Sequence, residues 1–241
     1  MREPDETQLP LVKTFGEELE RAIANRGRSR RWSQRRALSV ACAAGLVAVS
    51  LLTAPGKVAA DTKQYLYLDP DRLLGRAASM WDPNIGLGTV THQNIGYLFP
   101  MGPFFAAGKL LGLSPWLVHR LWLGVLLALA AYGTVRLLDA LLGRPRGAGH
   151  VVAGVLVLLN PYVVVFSGRT TVTLLGYAAL PWLLLAVHRG LRAPRSWWWP
   201  AAFALVVTCT GGGVNAAVTA WLLLGPLLLA LYERFVGDVR G

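Results

Sequence analysis

Acidic residues are scarce in this chain, and they are unevenly placed. Of 13 Asp and Glu in 241 residues, seven follow residue 36, and only 15% of all residues are charged. A soluble domain needs more polar surface than that, so the composition excludes one. Cysteine is scarcer still. Cys42 and Cys209 stand alone in or beside apolar segments, which excludes a disulfide framework and a cysteine metal site and leaves small-residue packing. No GxxxxGK[ST], HExxH or Ser-His-Asp pattern occurs, so nucleotide hydrolysis, zinc peptidase and serine hydrolase chemistry have no support.

What remains is hydrophobic and basic. The chain is 54% hydrophobic with nine Trp and a mean hydropathy of +0.44, as expected of an all-α polytopic membrane protein. Its net charge of +11 does not indicate nucleic acid, because the basic residues gather at the ends of apolar spans, where the positive-inside rule puts them. Residues 1–36 form a basic arm that ends in Arg26, Arg28, Arg30, Arg31, Arg35 and Arg36 with no acid among them, suited to anionic membrane lipids. Ser29-Arg30-Arg31 before a short apolar run also fits a twin-arginine signal, and Val58-Ala59-Ala60 a cleavage site. The further spans downstream favour an uncleaved first transmembrane helix.

Six spans are expected, at Ala37–Thr53, Trp116–Leu142, Val151–Ser167, Leu174–His188, Trp197–Thr210 and Ala216–Tyr232. Several are shorter than the ~20 residues of a perpendicular crossing. Arg144 and Arg146, then Arg189, Arg192 and Arg195, then Arg234 and Arg240 alternate with loops that carry only Arg169 or, at Gly211-Gly212-Gly213, no basic residue. The alternation puts the N-terminus in the cytoplasm and the 55–114 loop outside. Asn160-Pro161, Leu180-Pro181 and Gly225-Pro226 are expected to kink or break their helices. The arginine-rich cytoplasmic face suits an acidic partner such as a carrier protein.

The loop between the first two spans holds the chemistry. Asp61–Phe105 carries four of the seven late acids (Asp61, Asp69, Asp71, Asp82) with Lys63, Arg72, Arg76, His92, Gln93 and Asn94, interleaved with Tyr65, Tyr67, Trp81 and Tyr97. Asp69-Pro70 reads as a helix start capped by Asp69. That helix would set Leu73, Leu74, Ala77, Ala78 and Trp81 on one face and Arg72, Arg76 and Ser79 on the other, as in a helix lying in the interface plane. Tyr97–Leu111, interrupted by Pro100 and Pro103, reads as a second such piece, and the two as a polar roof over the bundle.

Arg120 lies one turn inside the second span, some ~6–8 Å from its outer end, a costly depth for an unpaired cation unless it has a function or snorkels to the interface. Gln93, Asn94 and Tyr97 are natural partners for sugar hydroxyls, and Trp81 for a sugar face. Asp82 is either a turn residue before Pro83 or an acceptor-site carboxylate. His92, His119, Arg169 and Asn215 are further candidates on the outer side. A transporter or flippase for a lipid-linked glycan is the rival, since broken helices suit it, yet here the polarity concentrates in one outer loop rather than at mid-membrane.

Asp61-Thr62-Lys63, Trp81-Asp82, Gln93-Asn94-Ile95-Gly96-Tyr97-Leu98-Phe99-Pro100 and Arg120-Leu121-Trp122 together resemble the actinobacterial α-(1→3)-arabinofuranosyltransferase family. The resemblance runs over residues 35–241 and is most specific at Asp61 and at Gln93–Pro100. It implies a GT-C transmembrane bundle, with residues 37–241 as the N-terminal part of a longer enzyme of more than ten spans. It also implies transfer of arabinofuranose from decaprenylphosphoryl arabinose to a 3-hydroxyl of cell-wall arabinan. Asp61 matches the family's catalytic position, with Lys63, Arg120 and Arg169 toward the donor phosphate and Trp81, Asp82, Gln93, Asn94 and Tyr97 toward sugar and acceptor. Another polyprenyl-phosphate-sugar transferase of the same fold is the neighbouring alternative. A divalent cation bridging Asp61 and the phosphate is compatible with this fold, although no ligand cluster in the sequence requires one.

Overall fold

The computed structural model describes residue 42 and residues 44–52, 55–58, 64–79, 81–83, 87–90, 95–143, 147–169, 171–211 and 215–237. The chain divides into a unit of residues 1–44 and a unit of residues 45–241. Only Cys42 and Ala44 of the first are described, and the account below concerns the second.

Regular structure among the described residues is helical, apart from one isolated antiparallel bridge between Asp82 and Thr89. The helices are α1 (residues 45–51), then α2 (Gln64–Leu68), α3 (Pro70–Gly75), a 3-10 turn at Ile95–Tyr97, and α4 (Leu98–Leu110). They are followed by α5 (Pro115–Leu142), α6 (Ala148–Leu158), α7 (Pro161–Ser167), α8 (Thr173–Arg192), α9 (Trp198–Cys209) and α10 (Ala216–Phe235).

The long helix α5 shows why these residues form these elements. Ser114 caps it by accepting from the Leu117 amide at 3.4 Å, and Pro115 takes the first position, where its missing N–H costs nothing. Gly143, at φ 58°, closes it in the left-handed region. Its 28 residues extend about 42 Å, more than a ~30 Å hydrocarbon core requires.

Around α5 the chain runs back and forth. Helix α6 is antiparallel to it, with Gly154 near Ala131 and Val135 and His150 near Asp139. Helix α8 is parallel to α5: the Trp182 indole donates to the Leu129 carbonyl at 3.1 Å, and further along both helices His188 Nε2 meets the Ala140 carbonyl at 3.2 Å. Gly133 admits this crossing, since a Cβ there would stand 2.6 Å from the Trp182 ring. Helix α9 returns from Trp199 beside Gly190 to Gly211 beside Tyr97, and α10 again runs parallel to α8, from Gly176 against Val218 and Leu222 to His188 against Glu233.

Helices α6 and α7 are bent by 45° at Leu159-Asn160. Pro161 has no N–H for the carbonyl four residues back, Val157. The Tyr177 hydroxyl on α8 donates to that same carbonyl at 2.7 Å, while the Asn160 side chain caps α7 through the Tyr162 amide at 2.9 Å. The expected kink at Asn160-Pro161 is therefore present, and its freed acceptor is satisfied. Pro181 and Pro226 behave otherwise, because α8 and α10 each continue as one helix past them.

Three helices, α5, α8 and α10, are long and apolar enough to cross a membrane, or four if the bent α6–α7 pair is one crossing. Six spans are thus not all seen among the described residues. Helix α9 has 12 residues and no buried one, about 18 Å of helix, and most of the expected first span lies outside the described residues.

The loop before α5 is not a flat roof. Past Phe99, helix α4 turns Met101, Gly102, Phe105 and Gly108 inward at helical spacing, and Met101 and Phe105 form one core with Leu66, Tyr67 and Tyr97 and with Val118, Trp122, Leu123 and Leu126 of α5. Burying Met101 and Phe105 is worth about 1.5–3 kcal/mol each, more than an interfacial position would return. Helix α3 also departs from expectation. It stops at Gly75, six residues short of Trp81, so the two-faced helix through Trp81 does not form. Asp69 precedes α3 without a side-chain capping bond, its carboxylate turned to Lys109 Nζ at 3.6 Å.

Candidate active site

The polar groups of the outer loop meet the bundle at the end where α5 and α8 begin. Arg120 is the central one. Five residues into α5, it is 6% exposed, and its Nη2 donates to the Lys57 carbonyl at 3.3 Å. Its Nε is buried without a partner, and no carboxylate pairs with it among the described residues. Its backbone carbonyl accepts from Ser50 Oγ at 2.8 Å, which ties α1 to α5. Gly124 lets the two helices approach there, since a Cβ would stand 2.6 Å from Val47 Cα. Arg120 has not snorkelled outward. It is a buried guanidinium with an unpartnered Nε and, among the described residues, one acceptor, the Lys57 carbonyl. A guanidinium is the form that meets a phosphate or carboxylate with paired hydrogen bonds.

Beside it, His119 is fully buried, its ring edge-on to Tyr67 at 4.9 Å. It lies in the core rather than on the outer face. The Tyr67 hydroxyl is 3.2 Å from Thr171 Oγ1, and Thr171 is itself fully buried in the turn between α7 and α8. Arg169, two residues earlier in that turn, is exposed at the same end.

Other sequence candidates fall into structural duties. Asp82 pairs with Arg76 at 2.7 Å with its side chain 15% exposed, and its backbone exchanges bonds of 2.8 and 3.0 Å with Thr89. The bridge and ion pair make it first a turn-forming residue. Trp81 is half exposed. Its ring crosses Gly88, where φ is 101° and a Cβ would collide at 2.1 Å, so one aromatic face is held beside the turn. The Tyr97 ring is buried against Gly211. Asn215 does not line a cleft, since its side chain accepts from the Val218 amide at 3.2 Å and caps α10. Lys109 clamps α3 to α4 through Asp71 and Asp69, and the hydrogen bond to Asp71 raises its pKa above the ordinary lysine value.

Asp61, Lys63, His92, Gln93 and Asn94 lie outside the described residues. The structure therefore groups Arg120 with the core beneath the outer loop and sets Arg169 at the same end, while the expected base is not described. No cluster of three His, Cys, Asp or Glu suited to a metal gathers among the described residues.

Sequence reasoning missed two groupings. Tyr67 with Thr171 carried no motif, only hydroxyls in apolar surroundings. The second lies at the opposite end, where Glu233 Oε1 on α10 is 2.9 Å from both Arg192 Nη1 and His188 Nδ1 on α8. A lone acid in an apolar helix, and His188 and Arg192 four residues apart on one helix face, were the available signals.

Residues 45–239 match the family described as alpha-(1->3)-arabinofuranosyltransferase, N-terminal GT-C domain. The chain is 38% identical over 180 residues to an alpha-(1->3)-arabinofuranosyltransferase of Mycobacterium tuberculosis, covering 73% of this chain and 13% of that protein. To the protein of the same name from Mycolicibacterium smegmatis it is 33% identical over 177 residues, covering 73% and 12%. The cryo-EM structure of arabinofuranosyltransferase AftD from Mycobacteria superposes with a TM-score of 0.74 at 31% identity over 83% of this chain and 15% of that one. A mutant form superposes with a TM-score of 0.73. The chain thus spans about an eighth of its curated relatives, over their GT-C part, and it belongs to the α-(1→3)-arabinofuranosyltransferase N-terminal GT-C domain family.

Proposed function

We propose that the protein transfers an arabinofuranosyl group from decaprenylphosphoryl arabinose to a 3-hydroxyl of cell-wall arabinan, with Asp61 as general base. The observation that carries this reading is the family match over residues 45–239. The buried Arg120 beneath the outer loop, which has no carboxylate partner among the described residues, supports it. In this reading residues 1–36 are a cytoplasmic arm, residues 37–241 are part of a GT-C domain in the plasma membrane, and the site faces outward, as the arginine alternation favours.

The chemistry needs few groups. The Asp61 carboxylate takes the proton of the acceptor hydroxyl as its oxygen attacks the sugar carbon. The bond to the phosphate oxygen breaks, and the polyprenyl phosphate leaves as an anion that needs no proton from an acid. Lys63, Arg120 and Arg169 stabilise the charge gathering on it, and Arg120 is worth most, because a donor shielded from water acts in a low dielectric. Trp81, Gln93 and Asn94 hold sugar and acceptor. Tyr97, expected there too, is buried in the core, and Asp82 shapes the turn through Arg76.

The test is transfer of labelled arabinose from decaprenylphosphoryl arabinose to a synthetic arabinan by membranes carrying the whole protein. The wild type should form a new 3-linked branch. Asp61→Asn should lower the rate by roughly 10²–10⁴-fold while donor binding persists. Equal transfer by both would remove Asp61 from the mechanism. Donor binding without transfer by either would leave a lipid-glycan carrier as the better reading.

A further inference from the structure

Beneath the outer loop, three elements meet at a buried polar contact. Tyr67 of α2 is 3% exposed, Thr171 of the α7–α8 turn 0% and His119 of α5 0%. The two hydroxyls are 3.2 Å apart across 104 positions of sequence, and the His119 ring stands edge-on to Tyr67 at 4.9 Å. Phe105 of α4 closes the other side, its ring 4.9 Å from that of Tyr67. Tyr67, His119 and Thr171 each make a further interaction besides these. Buried hydroxyls that bond each other fix register in a way that apolar packing does not, because only one relative placement satisfies both.

Each of the three residues lies within six positions of a group proposed for the site. Arg120 follows His119, Arg169 precedes Thr171 by two residues, and Lys63 and Asp61 precede Tyr67 by four and six. Helix α2 begins at Gln64, so chain length alone keeps Asp61 within about 15 Å of Tyr67. One contact therefore joins α2, the α7–α8 turn and α5, the three elements nearest in sequence to the proposed base and three cations.

We propose that the Tyr67–Thr171 hydrogen bond, backed by His119, is a positioning contact for the transfer reaction. It holds the segment carrying Asp61 and Lys63 in register with Arg120 and Arg169. The inference rests on the function proposed above. None of the three residues touches the reacting atoms. They act through the groups beside them, and a misplacement of about 1 Å at such groups lowers turnover by roughly 100-fold.

The experiment compares Thr171→Val, Thr171→Ser, Tyr67→Phe and the double Tyr67→Phe/Thr171→Val in the whole protein reconstituted in liposomes. Transfer kinetics, thermal unfolding and amide hydrogen exchange over residues 61–67 are read together. Thr171→Val should lose roughly 10–100-fold in kcat with KM for the acceptor little changed, and Thr171→Ser should restore it. The double variant removes both hydroxyls of the pair together, so its loss of unfolding temperature should be smaller than the sum of the two single losses. Its kcat should stay low and exchange at residues 61–67 should stay fast. Recovery of kcat together with stability in the double variant would overturn the proposal, as would wild-type kcat and exchange in Thr171→Val. If the wild type transfers no arabinose, the proposed function falls. Exchange at residues 61–67 then decides the contact by itself, faster in Thr171→Val for the proposal and unchanged against it.

Discussion

Removing the Arg192 guanidinium should loosen α10 from α8 by an amount the geometry bounds. Glu233 is 5% exposed at its side chain, whereas Arg192 is 44% exposed. Arg192 Nη1 carries two hydrogens, one directed to Glu233 Oε1 at 2.9 Å and the other to His188 Nδ1 at 2.6 Å. With its proton on Nε2, His188 donates onward to the Ala140 carbonyl of α5 at 3.2 Å, so one cation completes a chain across α10, α8 and α5. Breaking a buried ion pair by removing one partner costs about 3–5 kcal/mol, mostly for the charge left behind. Arg192 is nearly half exposed and water can partly replace it, so about 2–4 kcal/mol is expected for Arg192→Ala. In a protein of this size that lowers the unfolding temperature by about 5–15 °C.

The assay is thermal unfolding in lipid nanodiscs, followed by the fluorescence of the nine tryptophans. Glu233→Gln keeps the shape and discards the charge, and should cost about 1–2 kcal/mol. Replacing both residues by leucine removes the ion and its counter-ion together and should bring stability back within about 1 kcal/mol of wild type. The cycle of single and double changes isolates the coupling. If Arg192→Ala and Glu233→Gln add within about 0.5 kcal/mol, the two side chains do not act as a pair and the reasoning fails.

Two further outcomes follow from local chemistry. Tyr177→Phe should cost about 1–3 kcal/mol in the same melts, because the Val157 carbonyl freed by Pro161 then has no donor in a medium without water; an unchanged melt would mean that another donor reaches Val157. Lys109, whose pKa is raised by Asp71, contributes stability that is fully present below the ordinary lysine value of 10.5 and is lost as pH rises through the raised value. Wild type should therefore lose more stability than Lys109→Met between about pH 9 and about pH 12, and parallel curves would refute the clamp.

Helices with local signals were legible in the sequence. Ser114-Pro115 and Gly143 bound α5 because capping is a matter of a few adjacent residues, and Asn160-Pro161 bends the α6–α7 pair because a missing N–H cannot be hidden. Pro181 and Pro226 carry the same signal and yield no break: both are buried, and α8 and α10 run on past them. The outer loop reads as lying flat because its apolar residues make an interfacial stripe. A stripe of Met101 and Phe105 is the same whether it meets lipid or Trp122, and only tertiary contact decides between them. Asp69, Asp82 and Asn215 were ambiguous for a related reason. A short polar side chain near a turn suits a cap, an ion pair or a ligand equally well, and Lys109, Arg76 and the Val218 amide settle each case.

The two arginines that reach into the bundle show how a structural cation differs from one kept for something else. Arg192 lies at one end with a carboxylate at 2.9 Å, and it is satisfied although nearly half exposed. Arg120 lies at the other end, more deeply buried, and among the described residues it has one backbone carbonyl at 3.3 Å, no carboxylate, and a buried Nε that donates to nothing. A membrane protein that needed Arg120 only for packing would do better with leucine, because a buried guanidinium short of acceptors costs several kcal/mol. Its retention makes sense if an anion from outside the chain completes it. A phosphate on a lipid donor has the charge and the paired oxygens for that, so Arg120→Leu should weaken donor binding while raising the unfolding temperature. A variant that bound donor as well as wild type, or that melted lower, would show that Arg120 is held for the fold and not for the phosphate.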